Sequence, residues 1–299
     1  MEDIQFPKSI NNIAILSSSH VTRELPIALL GVIRFVHPYP EKVNCVGEFR
    51  LNDETTLYII ICPAGLGSER YVTGPKYYIT YQLEPTPILE RETYRDFLSK
   101  AICNWDYSQV NVDFLRKYPE INIRYLSPGY SPYIAANDIS DGRYYYTDDG
   151  KDVDVLFLGW DMYERRKKIK EELIQAGLKI WFVHTLDLEG MKQAIRRAKV
   201  CINIHVFDIM PCLETIRLNI LLSNQACVVN EFLPDDELDV YKDNIMTVSY
   251  DHLVSTCVDL VNNLEKRRRL ALRSHQWYRN ERAWNKIVDF NSILPSLTS

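Results

Sequence analysis

Residues 200–231 (VCINIHVFDIMPCLETIRLNILLSNQACVVNE) constrain the fold more than any other part of the chain. A short apolar strand at 200–204 runs into an irregular loop at 205–211. A helix with Glu214 and Arg217 on one face follows, and a second apolar strand occupies 226–229. This strand-loop-helix-strand unit gathers its polar groups at the carboxyl end of the first strand. Open α/β sheets bind ligands at that end. The helix amino terminus there offers unpaired N–H groups and a positive dipole, which stabilise an anion such as a diphosphate.

The rest of the chain repeats this rhythm. Apolar strands are predicted at 12–16, 56–62, 77–81 and 122–126, with 104–108 (NWDYS) a strand or turn. Helical segments are predicted at 25–36, 93–102 and 110–117. A polar stretch at 137–152 holds Asp148, Asp149 and Asp152 and reads as a linker or hairpin. Strands at 154–158 and 179–183 then restart the pattern, with helices at 163–176, 188–198 and 251–264. Leu253, Val254, Cys257, Val258 and Val261 share one face of the last of these. A long helical stretch with Trp277, Tyr278 and Trp284 follows the basic run at 266–269. Short apolar strands alternating with helices predict parallel, doubly wound sheets. The expected division is one α/β domain at 1–148, a second at 149–275 and a terminal helix at 276–299.

The length of 299 residues suits two domains. A net charge of -5 argues against a general nucleic-acid binder, which would carry a basic stripe. The seven Cys form no CxxC pair, and several lie in apolar strands, which reads as reduced thiols in a cytosolic compartment. The start MEDIQFPKS has no basic region followed by an apolar one, so no signal peptide is expected. No apolar run reaches the roughly 18–20 residues of a membrane span. The expectation is a soluble, cytoplasmic protein.

The pattern resembles the donor half of a GT-B glycosyltransferase, of the kind found in bacteria and large DNA viruses. The resemblance is specific over 154–231 and loose over 1–130. It implies two Rossmann-like α/β domains facing across a cleft, with the C-terminal helix crossing back to the first. It implies that the first domain binds the acceptor and the second the nucleotide-sugar, with transfer of a hexose or pentose from a UDP- or GDP-sugar to an oligosaccharide or glycoprotein and no cofactor beyond the co-substrate; on net charge, no nucleic acid is expected as partner. Glu214 would bind the donor ribose through its two carboxylate oxygens. Gly159, Arg165 and Arg166 (with Lys167 beside them) would hold the diphosphate, since guanidinium grips phosphate oxygens bidentately. Asn203, His205, Asp208 and Arg217 would line the donor. Many retaining members carry a second glutamate eight positions before the first. Val206 stands there, which favours inversion. His20, in the turn SSSH, is the first candidate for a general base. Asp106 is another, and Glu84, Trp105 and Tyr107 are candidates for acceptor binding.

Two other readings stay open. Asp152-Val153-Asp154 is a DxD string, the metal signature of GT-A transferases. It precedes an apolar strand instead of following one, so the expected number of metal ligands is none. The chain could also be a glycan- or nucleotide-binding protein without turnover.

Overall fold

A computed structural model describes residues 4–17, 24–66, 74–84, 86–142, 146–206, 213–232, 240–241 and 243–295. The chain divides into two compact units, Met1–Pro128 with Trp284–Ser299, and Gly129–Ala283.

The first unit holds six parallel strands: β1 (Asn12–Ser17), β2 (Val43–Cys45), β3 (Thr56–Ile61), β4 (Tyr78–Gln82), β5 (Cys103–Asp106) and β6 (Ile123–Tyr125). Their order is β2-β1-β3-β4-β5-β6. Every residue of β3 and β4 is buried, as expected for a parallel sheet covered on both faces. Helix α1 (Glu24–Val36), α2 (Glu92–Ser99) and α3 (Gln109–Leu115) connect the strands. Tyr58, Ile60, Tyr78, Tyr94 and Phe97 form the centre of one face. The short helices at Trp284–Ile287 and Phe290–Ile293 belong to this unit. Trp284 is buried there, edge-on to Tyr81 at 6.5 Å.

The second unit has five parallel strands: β7 (Val153–Leu158), β8 (Ile180–Val183), β9 (Ala198–Asn203), β10 (Val228–Glu231) and β11 (Met246–Val248). The order is β11-β10-β9-β7-β8. Helix α4 (Glu164–Gln175), α5 (Leu188–Arg197), α6 (Thr215–Ser223), α7 (Leu253–Val261) and α8 (Leu264–Glu281) complete it. Val155, Phe157, Val200, Ile202, Val229 and Cys257 pack in one core. The chain runs from β7 to β8 on one side, then crosses to β9 on the other. The order reverses between β7 and β9, and sheets of this kind bind ligands beyond the strand ends at that point.

Three details differ from the sequence reading. The three-residue edge strands β2 and β11 were not expected, because strands that short carry no periodicity. The break between units falls at 128/129 and not at 148, because Tyr146 is buried in the second core and its hydroxyl donates to Lys199 O at 2.9 Å. No break occurs at 275, since α8 runs through it, begins before the basic run and buries Arg267, His275 and Trp277. Among the described residues, no helix is long and apolar enough to cross a membrane.

Candidate active site

The carboxyl ends of β7, β9 and β10 bring together Gly159, Asn203, His205, Glu214 and Glu231, and Arg165, Arg166 and Arg217 reach the same place. Glu214 stands at the N-cap position of α6. Its Oε1 is 3.2 Å from an Nη of Arg166 and 3.8 Å from Arg217, and its Oε2 is 2.9 Å from His205 Nδ1. Burial opposes ionisation of this carboxyl. The positive charge and hydrogen bond of His205 outweigh it, followed by the charges of Arg217 and Arg166, so the pKa falls to about 2. Glu214 is therefore an anion at neutral pH. Its side chain keeps 21% of its surface in solvent, although Oε2 itself is buried.

Arg217 donates from Nε to Leu158 O at 2.5 Å and from an Nη to Asn203 Oδ1. This brings its guanidinium against the backbone at Gly159. A β-carbon there would lie 2.9 Å from Arg217 and 2.8 Å from the Phe157 ring, so the close approach requires glycine. Arg166 is buried. It donates to Ile204 O at 2.7 and 3.1 Å and to Trp160 O at 3.0 Å. Burial, then the Arg217 charge beside it, lowers its pKa to about 10, which leaves it protonated at neutral pH. The Arg166 guanidinium thus braces two strand ends and orients Glu214.

Arg165 makes a bidentate pair with Glu231 and donates to His205 O at 3.1 Å. Its guanidinium also lies over the Tyr250 ring, 4.4 Å from the centroid. Glu231 is fully buried and additionally accepts from His205 N at 3.0 Å. His205 Nε2 faces Glu231 O at 3.0 Å. A carbonyl at one ring nitrogen and a carboxylate at the other is an arrangement that suits an imidazolium. Three guanidiniums (Arg165, Arg166, Arg217) against two carboxylates (Glu214, Glu231) leave one positive charge. A partly buried cationic surplus beside a helix amino terminus attracts a polyanion.

Sequence reasoning missed Glu231 and Tyr250. Glu231 ends the apolar run VVNE, and a carboxylate at the carboxyl end of a buried strand was a usable signal. Tyr250 carried none. His20 and Asp208 lie outside the described residues.

In the first unit, Glu84, Asp106 and Asn111 meet beyond β4 and β5. Glu84 Oε1 accepts from Cys62 Sγ at 3.3 Å, and Glu84 O accepts from Asn111 Nδ2 at 2.9 Å. Asp106 Oδ1 accepts from Ser108 N at 2.8 Å and Asn111 Nδ2 at 3.1 Å. Asp106 is wholly buried, so its carboxylate fixes the turn into α3 and is not open to an acceptor. Trp105 is 1% exposed and packs edge-on against Tyr81 at 6.1 Å. Its ring belongs to the core and cannot stack on a sugar. Tyr107 is buried as well.

The DxD string sits at the opposite end of the second sheet, at the start of β7. Asp152 pairs with Arg197 at 2.6 Å, and Asp154 pairs with Lys199 at 2.8 Å. Each carboxylate already has its cation, at the end of the sheet away from the cluster. This geometry counts against the GT-A reading.

No family model matches the chain. An uncharacterized protein of Acanthamoeba polyphaga mimivirus is 27% identical over 182 residues, 58% of each chain. The chain thus spans about 58% of the length of that curated relative. Among solved structures, sucrose-phosphate synthase from Thermosynechococcus elongatus matches with a TM-score of 0.54 at 10% identity, over 92% of this chain and 96% of that one. An alpha-glucosyltransferase in complex with UDP and a 13-mer DNA containing a HMU base gives 0.59 at 9% identity, over 92% and 96%. The DNA modifying enzyme beta-glucosyltransferase gives 0.54 at 14%, over 90% and 94%. These neighbours correct one expectation. The exclusion of nucleic acid rested on net charge, yet glycosyltransferases with this arrangement are found bound to DNA. Net charge sums the whole surface, whereas a ligand responds to the local field. The strand orders and these matches show that the chain has the GT-B glycosyltransferase fold.

Proposed function

We propose that the chain is a glycosyltransferase whose second unit holds a nucleotide-sugar. The observation that carries this reading is the cationic cluster at the ends of β7 and β9, built around one ionised, partly open carboxylate. Glu214 accepts hydrogen bonds from the donor ribose. Arg217, Arg165 and the amino terminus of α6 face the diphosphate, with Arg166 holding Glu214 in place. An acceptor oxygen attacks the anomeric carbon, the bond from that carbon to the diphosphate oxygen breaks, and the nucleoside diphosphate leaves. The acceptor proton passes to a base, for which His20 is the candidate. The guanidiniums offset the charge that develops on the leaving group. We expect inversion, and no requirement for a metal ion.

Thermal unfolding tests this with UDP, GDP and their sugars, in EDTA and again with Mn2+. A ligand at a hundred times its Kd adds about 2.7 kcal/mol. One nucleotide should stabilise the protein in EDTA, and Glu214→Ala should remove the effect while the variant remains folded by circular dichroism. Stabilisation by no nucleotide, or by one only with Mn2+, counts against the reading. Transfer of labelled sugar to oligosaccharides, or to duplex DNA bearing a HMU base, then decides the acceptor class.

A further inference from the structure

We propose that the indole of Trp160, backed by the imidazole of His184, is the surface on which the base of the donor nucleotide stacks. This rests on the reading of the adjoining cluster as a nucleotide site. Trp160 follows Gly159 beyond β7, and His184 follows Val183 at the end of the neighbouring strand β8. Their ring centroids are 5.0 Å apart with 35° between planes. Thr185 Oγ1 is 2.9 Å from His184 Nδ1 and steadies the imidazole.

Trp160 is 50% exposed, and Met162 and Tyr163 beside it are exposed too. Trp105, Trp277 and Trp284 are all buried. Leaving half an indole in water forgoes a large favourable burial. Exposed apolar side chains gathered at the ligand end of a sheet are a binding-surface signal.

The groups along the strand ends match a nucleotide in kind. Glu231 lies at β10 with Arg165 gripping it, Asn203 and His205 at β9, Gly159 and Arg217 at β7, and the aromatic ledge at β7 and β8. The cationic groups therefore give way to an aromatic surface along one line. A nucleotide likewise joins an anionic diphosphate to a planar base through a ribose. One guanidinium joins the two regions. Arg166 donates to Trp160 O at 3.0 Å, and its other Nη is 3.2 Å from Glu214. The backbone of Trp160 is thus one guanidinium away from the carboxylate assigned to ribose.

Titration calorimetry on the full chain tests this with pyrophosphate, UDP and GDP, using the wild type, Trp160→Ala and Trp160→Phe. Trp160→Ala should weaken the tighter nucleotide about tenfold or more, the usual scale for losing an aromatic partner of a base. Trp160→Phe should stay within a few-fold of wild type, and pyrophosphate affinity should be the same in all three. The nucleotide should quench indole fluorescence in the wild type, and pyrophosphate should not. Equal nucleotide affinity in wild type and Trp160→Ala overturns the inference. So does pyrophosphate binding as tightly as both nucleotides, and in both cases the anion site still stands. Binding of neither pyrophosphate nor nucleotide overturns the donor-site reading and this inference with it.

Discussion

Replacing Glu214 by Gln keeps the shape of the side chain and removes its charge. The surrounding cations hold this carboxyl at about 2, well below the ordinary carboxylate value of 4.5. The depressed pKa means that the folded state binds its proton more weakly than the unfolded chain. Stability from this group is therefore complete above the unfolded pKa and is lost as pH falls toward 2. The difference corresponds to about 3 kcal/mol at pH 7, as an order of magnitude. By the same linkage the contribution shrinks steadily as pH falls through the unfolded pKa toward 2. The pH 7 figure is the attraction of the carboxylate for His205, Arg217 and Arg166, which the variant leaves without that counter-charge. Urea denaturation of wild type and Glu214→Gln at pH 7, 5, 4 and 3 reads this directly. The gap in unfolding free energy should be largest at pH 7 and should narrow steadily below pH 5. A gap that is absent at pH 7, or constant across the range, would refute the assignment of Glu214 as the anion that holds the cluster together.

Gly159→Ala places a methyl group against the Phe157 ring and the Arg217 guanidinium. It should cost about 1–3 kcal/mol and weaken pyrophosphate binding, measurable by thermal melting and calorimetry. Burial raises the thiol pKa of Cys201 and Cys227 to about 12, and raises that of Cys257 as well. Iodoacetamide at neutral pH should therefore leave these three unmodified in the native protein, by peptide mass spectrometry, and label them in urea.

The candidate site was partly legible in the sequence. Glu214 and Arg217 lie three positions apart at the start of one helix, so local spacing was enough to pair them. Arg165 and Arg166 are adjacent in sequence, yet the structure gives them different tasks. Helical geometry points them in directions about 100° apart, so Arg165 reaches Glu231 and Arg166 is buried against Ile204 O. Trp105 and Tyr107 looked like acceptor platforms because they stand at a strand end among polar residues. Their burial depends on what packs over that strand, which the local sequence does not encode.

The sequence by itself determined the type of each long element. A run of apolar residues in an extended segment, or their recurrence at helical spacing, is a local property that fixes which surface must leave water. That was enough to require parallel sheets covered by helices. Strand order was decided only in the tertiary structure, because it depends on which strand hydrogen-bonds to which across long connections. Placing β10 beside β9 and β9 beside β7 brings Glu231 to Arg165 across 66 positions of chain. Hydrogen bonding between strands that are distant in sequence is what converts scattered polar residues into one charged site.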